Sequence, residues 1–186
     1  MDRENMRVII SRRMIREGLF RLLAKKKISE ISITELCKEA QVNRTTFYHH
    51  YEIPQDVLAE VSWNIVKEVE KVFDGYNPKN IRQKTINALS ILQEHKDELK
   101  IIFAADTESS SHDMAIEAFS HFWNSQFDLK NTLQLNDEEY HFAIIGYGWS
   151  GYHVIKQWIM EDSKMSPEDL LALFEKMFSK TGSRSL

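Results

Sequence analysis

Apolar residues recur at spacings of three and four along nearly the whole of this chain, and that pattern excludes most architectures open to its 186 residues. A period near that of the α-helix cannot line one face of a strand, where side chains alternate. Six glycines and three prolines leave long stretches without a helix breaker, and no convincing run of alternating pattern occurs. The expected class is all-α, about nine helices, and an apolar content of 42% is ample for a buried core.

The first helix is predicted from about Met6 to Lys25, with Ile15, Leu19 and Leu22 turned to a core. The basic cluster Lys25 to Lys27 at its end suits either the helix dipole or a phosphate. Ile28 and Ile31 then plug a small core. Ser32 is a cap for a helix over about 33–40, and Glu35 three residues on completes a capping-box pattern. Ile33, Leu36, Cys37 and Ala40 share one face of that helix, which makes Cys37 a small core residue rather than a reactive thiol. Gln41, Val42 and Asn43 form a turn, with Asn43 capping a short helix from Arg44 to about His50. Pro54 suits the first turn of a long helix ending near Phe73, where Asp74 to Pro78 supply turn chemistry. Further helices are predicted near 80–95, 97–104, 113–129, 137–161 and 166–179, the last capped by Ser166 with Pro167 at its first position. The tail from Thr181 to Leu186 is expected to be disordered.

Charge divides along the same line as the helix lengths. Residues 1–50 hold eleven Lys and Arg against six Asp and Glu, whereas residues 51–186 hold thirteen against twenty-two. A basic head on an acidic body would draw a polyanion to one end only, although the chain as a whole carries a net charge of −4. Two short helices joined by a tight turn, the second polar on one side and preceded by a basic helix, meet the needs of a helix-turn-helix.

The run from Ile33 to Tyr51, ITELCKEAQVNRTTFYHHY, resembles the DNA-binding signature of the TetR/AcrR repressor family, with the likeness extending over roughly residues 8–60. The resemblance implies a three-helix DNA-binding domain over residues 1–53 and a helical effector-binding and dimerisation domain over 54–186. It makes Thr34, Asn43, Arg44 and Thr45 base-facing candidates. Arg44 leads them, because a guanidinium can bond two guanine acceptors at once. Thr46, Tyr48, His49 and His50 resemble positions that touch phosphate or sugar, with Tyr48 donating its hydroxyl and His50 partly supporting the fold. Phe47 and Tyr51 read as packing residues. Many members of the family carry a lysine near the start of the following helix, where it meets a phosphate. Here the chain reads Glu52-Ile53-Pro54-Gln55, so that contact is either lost or falls to a free backbone N–H at the helix start, to Arg12 or Arg13, or to the Lys25 to Lys27 cluster.

In the body, Ala143, Gly146, Gly148, Ser150 and Gly151 are unusually small for one helix, which calls for close approach of another. The last helix supplies the apolar stripe Leu170, Leu173, Phe174 and Met177. By resemblance these two helices from each of two subunits form the interface of a homodimer, for which Ala143, Gly146, Ser150, Leu170, Leu173, Phe174 and Met177 are the candidates. Phe103, Phe119, Phe122, Trp123 and Trp149 are candidates to line an effector pocket for a small apolar or aromatic molecule, although aromatics at helical spacing are more often core. A protein coregulator bound to the body is the alternative means of control.

Enzymatic chemistry finds no foothold in these residues. His95, His112, His121, His141 and His153 include no pair four apart, and Ser109 to Asp113 read as a loop entering a helix. The adjacent His49 and His50 point to different sides of a helix and cannot share a metal ion, so neither metal nor cofactor is expected. One cysteine fits a reducing cytoplasm. Met1 to Asn5 lack the apolar core of a signal peptide, and the apolar stretch from Phe142 to Ile159 is broken by Gly, His, Lys and Gln, so no membrane span is expected. The combined expectation is a cytoplasmic repressor on a near-palindromic operator of double-stranded DNA, released by its effector.

Overall fold

The structure is a computed structural model that describes residues 3–75, 80–105 and 129–179. Among them every regular element is helical: α1 Arg3–Leu23, α2 Ile33–Glu39, α3 Arg44–Tyr48, α4 Pro54–Val72, α5 Ile81–Glu94, α6 Lys96–Ala105, α7 Leu129–Thr132, α8 Asp137–Met160 and α9 Pro167–Ser179. A single 3-10 turn, Ile28–Glu30, links α1 to α2. Sequence reading omitted that turn and α7, both too short to show a period. The helix predicted near 113–129 and the tail from Thr181 lie outside the described residues, as do Phe119, Phe122 and Trp123. No described helix is long and apolar enough to cross a membrane.

The chain forms two compact units, one of residues 3–64 with 100–105 and one of 65–99 with 129–179. The first is built on a core of Ile15, Leu19, Leu22, Leu36, Phe47 and Val57, joined by Ile28 from the 3-10 turn and Ile31 just after it. Cys37 is buried among them, and burial pushes its thiol up, against the pull of Arg44. One residue of α1 sets how near α2 can lie. A Cβ on Gly18 would stand 2.9 Å from both Cα and Cβ of Ala40 and 3.0 Å from its backbone nitrogen. The glycine is therefore what lets two backbones touch, and α1 packs closely on α2 there.

In the second unit α9 packs on α5, where Arg82 donates to Glu175 at 3.2 Å. Asn136 and Glu139 cap the start of α8 reciprocally, at 2.9 and 3.0 Å. Ser166 caps α9 by accepting from the Asp169 amide at 3.1 Å, and Trp158 donates its indole N–H to the Met165 carbonyl oxygen at 2.9 Å. His95 sits between two carboxylates, Glu98 at 2.8 Å from Nδ1 and Glu68 at 3.1 Å from Nε2. Burial disfavours charge on this ring, but the two carboxylates outweigh it and raise the pKa above the ordinary histidine value.

The small residues of α8 divide between two faces. Gly148 and Gly151 point inward with Tyr152, Ile155 and Trp158. Gly146 and Ser150 point outward beside Phe142, Ile145 and Trp149, with Ala143 half-buried, and a Cβ on Gly146 would meet nothing within 4 Å. Leu173 and Met177 are exposed on α9, whereas Leu170 and Phe174 retain only 1% and 2% of their surface. Leu170 and Phe174 are thus buried within the second unit, and of the four residues of the α9 stripe it is Leu173 and Met177 that reach the surface.

Candidate nucleic-acid interface

The α2–turn–α3 segment takes its shape from local hydrogen bonds. The Ser32 hydroxyl accepts from the Glu35 amide at 3.2 Å and starts α2. The capping box is only half made, because the Glu35 carboxylate turns away to Lys26, whose ammonium donates to both its oxygens at 2.5 and 2.6 Å. A cation within reach holds a carboxylate more strongly than one neutral amide does. At the other end of α2, Gln41 takes φ of 54°, the Val42 amide donates to the Cys37 carbonyl at 3.0 Å and the Gln41 amide to that of Lys38 at 3.3 Å. This is a Schellman closure with glutamine in the left-handed position that glycine usually fills.

Asn43 caps α3, its Oδ1 accepting from the Thr46 amide at 2.7 Å. That oxygen is thereby committed to the helix, which limits what Asn43 can offer a base edge. Phe47 anchors the inner side of α3 with no exposed surface, and Tyr51, also buried, packs beside it with ring centroids 5.8 Å apart. Burial first, and then Glu60, pushes the Tyr51 hydroxyl well above the usual tyrosine value, so it stays protonated. With the inner side occupied, Arg44, Thr45, Tyr48 and His49 are exposed and Thr46 half-buried, while Thr34 is exposed on the first turn of α2. The Arg44 guanidinium donates to the Tyr48 hydroxyl oxygen at 3.2 Å.

His50 is tied to the fold. Its Nε2 lies 2.7 Å from the Ser11 hydroxyl, which itself donates to the Val8 carbonyl at 3.0 Å. The hydroxyl has one hydrogen, so Nε2 carries the proton of the shared bond. Burial, then Arg12 and His49, lower the His50 pKa and favour that neutral ring. The start of α4 departs from expectation too. The Asp56 carboxylate accepts from the Glu52 and Ile53 amides at 2.8 and 2.9 Å, so neither is free for a phosphate. Arg12 pairs with Glu60 at 3.3 Å, Arg13 with Glu17 at 3.7 Å, and Arg21 with Glu39 at 2.6 Å. A groove lined by Arg21, Lys25, Lys26, Lys38, Glu35 and Glu39 is polar and keeps an excess of positive charge even with Arg21 and Lys26 paired to its two glutamates.

Of the residues expected to line an effector pocket, Phe103 is half-buried on α6, and Trp149 is exposed on α8, stacked on His153 at 5.6 Å. Among the described residues no three His, Cys, Asp or Glu side chains cluster as a metal ion requires.

Residues 79–180 match a family model described as the C-terminal region of transcriptional regulators, TetR_C_8. The chain belongs to the TetR family of transcriptional regulators. Its helical architecture is the one expected from the head signature, and the match extends the assignment to the body, where sequence reading had only length, helicity and a final helix pair. No curated protein matches this TetR-family regulator by sequence. A solved structure similar in fold is the dihydroxyacetone kinase operon activator DhaS, at 15% identity and a TM-score of 0.55 over 91% of this chain and 94% of that one.

Proposed function

We propose that the protein is a homodimeric, sequence-specific regulator that places α3 of each subunit in the major groove of a near-palindromic DNA operator. The observation that carries this reading is the outward presentation of Arg44, Thr45 and Tyr48 from a short helix whose other side is locked to the core by Phe47. Arg44 reads a base together with Thr34 and Thr45, with Asn43 contributing through the side of its amide that the cap leaves over. Thr46, Tyr48 and His49 hold the backbone. His50 acts chiefly by fixing the end of α3 to α1 through Ser11. The outward residues of α8 and α9, Gly146, Ser150, Leu173 and Met177 among them, support the dimer, since a cluster of exposed Phe142, Ile145 and Trp149 along α8 is large for a face left in water.

In this reading a small apolar or aromatic effector in the body shifts the separation of the two heads and releases the operator, a change driven by its unequal affinity for the two spacings. Repression is the proposed mode. The description of the structural neighbour as an operon activator supports activation as the second reading.

The test is salt-dependent binding of the purified protein to its own upstream DNA. Arg44→Ala is expected to weaken selective binding by about 10- to 100-fold, as loss of a bidentate base contact does, while sequence-blind binding persists. Equal affinity of both proteins for all sequences in a broad DNA library would overturn the assignment of α3. A second variant probes the start of α4, where Glu52 and the Asp56 carboxylate stand in place of the family's lysine. Glu52→Lys is expected to tighten binding and steepen the dependence of log K on log salt by about 0.9, one phosphate's worth. An unchanged slope would place that helix end away from the DNA backbone.

A further inference from the structure

Arg44 opens α3 and Tyr48 closes it, four residues on, so that the two side chains lie on one side of a single helical turn. The geometry between them is specific. Arg44 Nη2 donates to the Tyr48 hydroxyl oxygen at 3.2 Å, and the guanidinium carbon lies 5.8 Å from the centre of the Tyr48 ring. The ring is held in turn, since the fully buried Phe47 meets it edge-on at 5.8 Å between centroids and 78° between planes. A line of contacts therefore runs from the core of the first unit, through an exposed tyrosine, to the exposed arginine.

We infer that Tyr48 is a positioning residue for base recognition: it holds the Arg44 guanidinium in the orientation that reads the operator, in addition to any contact of its own with the DNA backbone. The inference rests on the reading of α3 as the recognition helix. An exposed arginine otherwise samples many rotamers, and fixing one of them before binding lowers the entropic cost of docking on the correct base. A hydroxyl has one hydrogen and two acceptor sites. Accepting from Arg44 leaves the Tyr48 O–H to donate elsewhere, and a phosphate oxygen is the partner that resemblance assigns to it. Donating to an anion polarises the hydroxyl and makes its oxygen a stronger acceptor for the guanidinium. The sugar-phosphate contact and the base contact would then be coupled through one oxygen atom, so that Arg44 is held most firmly when the head is seated in register.

The experiment compares the wild-type protein, Tyr48→Phe and Arg44→Ala on an operator and its full set of single-base-pair variants. Arg44→Ala first marks the base pair that Arg44 reads, as the position where the substitution penalty collapses. For Tyr48→Phe we expect discrimination at that base pair to fall by about threefold or more, the scale of one hydrogen bond, with penalties at all other positions unchanged. Tyr48→Leu, which also removes the ring, is expected to lower it further. Thermal melts of the variants, with the substituted group at the surface, should match wild type and so separate positioning from folding. Equal weakening of Tyr48→Phe on every sequence would overturn the inference and leave Tyr48 a backbone contact alone. An Arg44→Ala profile identical to wild type would instead remove the recognition role of α3, and the inference with it.

Discussion

Phe47→Ala is expected to destabilise the first unit by about 3–5 kcal/mol, the range for truncating a fully buried phenylalanine. Set against the roughly 5–15 kcal/mol that holds a typical domain folded, the loss leaves little or no margin. The consequence reaches further than stability. α3 has five residues, too few to persist as an isolated helix, so its shape is borrowed from the burial of Phe47 in the core shared with α1 and α2. Urea unfolding of the variant, monitored together with DNA binding, should show both fall at once. Phe47→Leu, which keeps most of the volume, should retain more of each. A loss below about 1 kcal/mol in Phe47→Ala would mean that the site collapses around the smaller side chain and that α3 is anchored by other contacts.

Gly18→Val is expected to have the next largest effect. The added Cβ would fall 2.9 Å from Ala40 Cα, a backbone atom that can give way only if α1 and α2 separate. Overpacking of this kind costs about 1–3 kcal/mol and sometimes more. Gly18→Ala carries the same first clash but gains roughly 1 kcal/mol of helix propensity, so its net effect is smaller. A compensating pair makes the cause visible. Ala40→Gly in the Gly18→Ala background removes the Ala40 Cβ, and thermal unfolding should show a positive coupling between the two changes. Independent, additive effects would assign the loss to the Ala40 backbone atoms, which the second substitution leaves in place, rather than to its Cβ.

These two residues mark the boundary of what a single sequence can tell. Phe47 was legible as a packing residue because it falls three positions from the polar Arg44 on a short helix, and the structure buries it. Gly18 is not legible in that way. A glycine within a helical pattern announces that something comes close, but the partner, Ala40, lies on another helix and is identified only once α1 and α2 are packed. The same limit explains the caps. Asn43 and Ser166 act locally and were read correctly, whereas Glu35 fitted a capping box until folding brought Lys26 within 2.5 Å of it. Asp56 reaches back to two amides that sequence reading left open, because a carboxylate just inside a helix start can bind its own chain as well as repel an incoming anion. In α8 the small residues stand out in the sequence, but their faces do not. Their division into Gly148 and Gly151 on one face and Gly146 and Ser150 on the other follows from helical phase, yet which face turns inward depends on where α8 meets its neighbours.

The pairing of Arg12, Arg13, Arg21 and Lys26 with glutamates of the same unit bears on how such a head would search. Attraction to random duplex comes from cations that displace the ions condensed along it, and these side chains are already partnered when they arrive. A genome offers on the order of a million or more wrong sites. A head bristling with outward charge would be sequestered among them. One that holds part of its charge against its own glutamates would dwell more briefly at each and, on the proposed reading of α3, would leave the distinction between operator and bulk sequence to the few side chains of a five-residue helix.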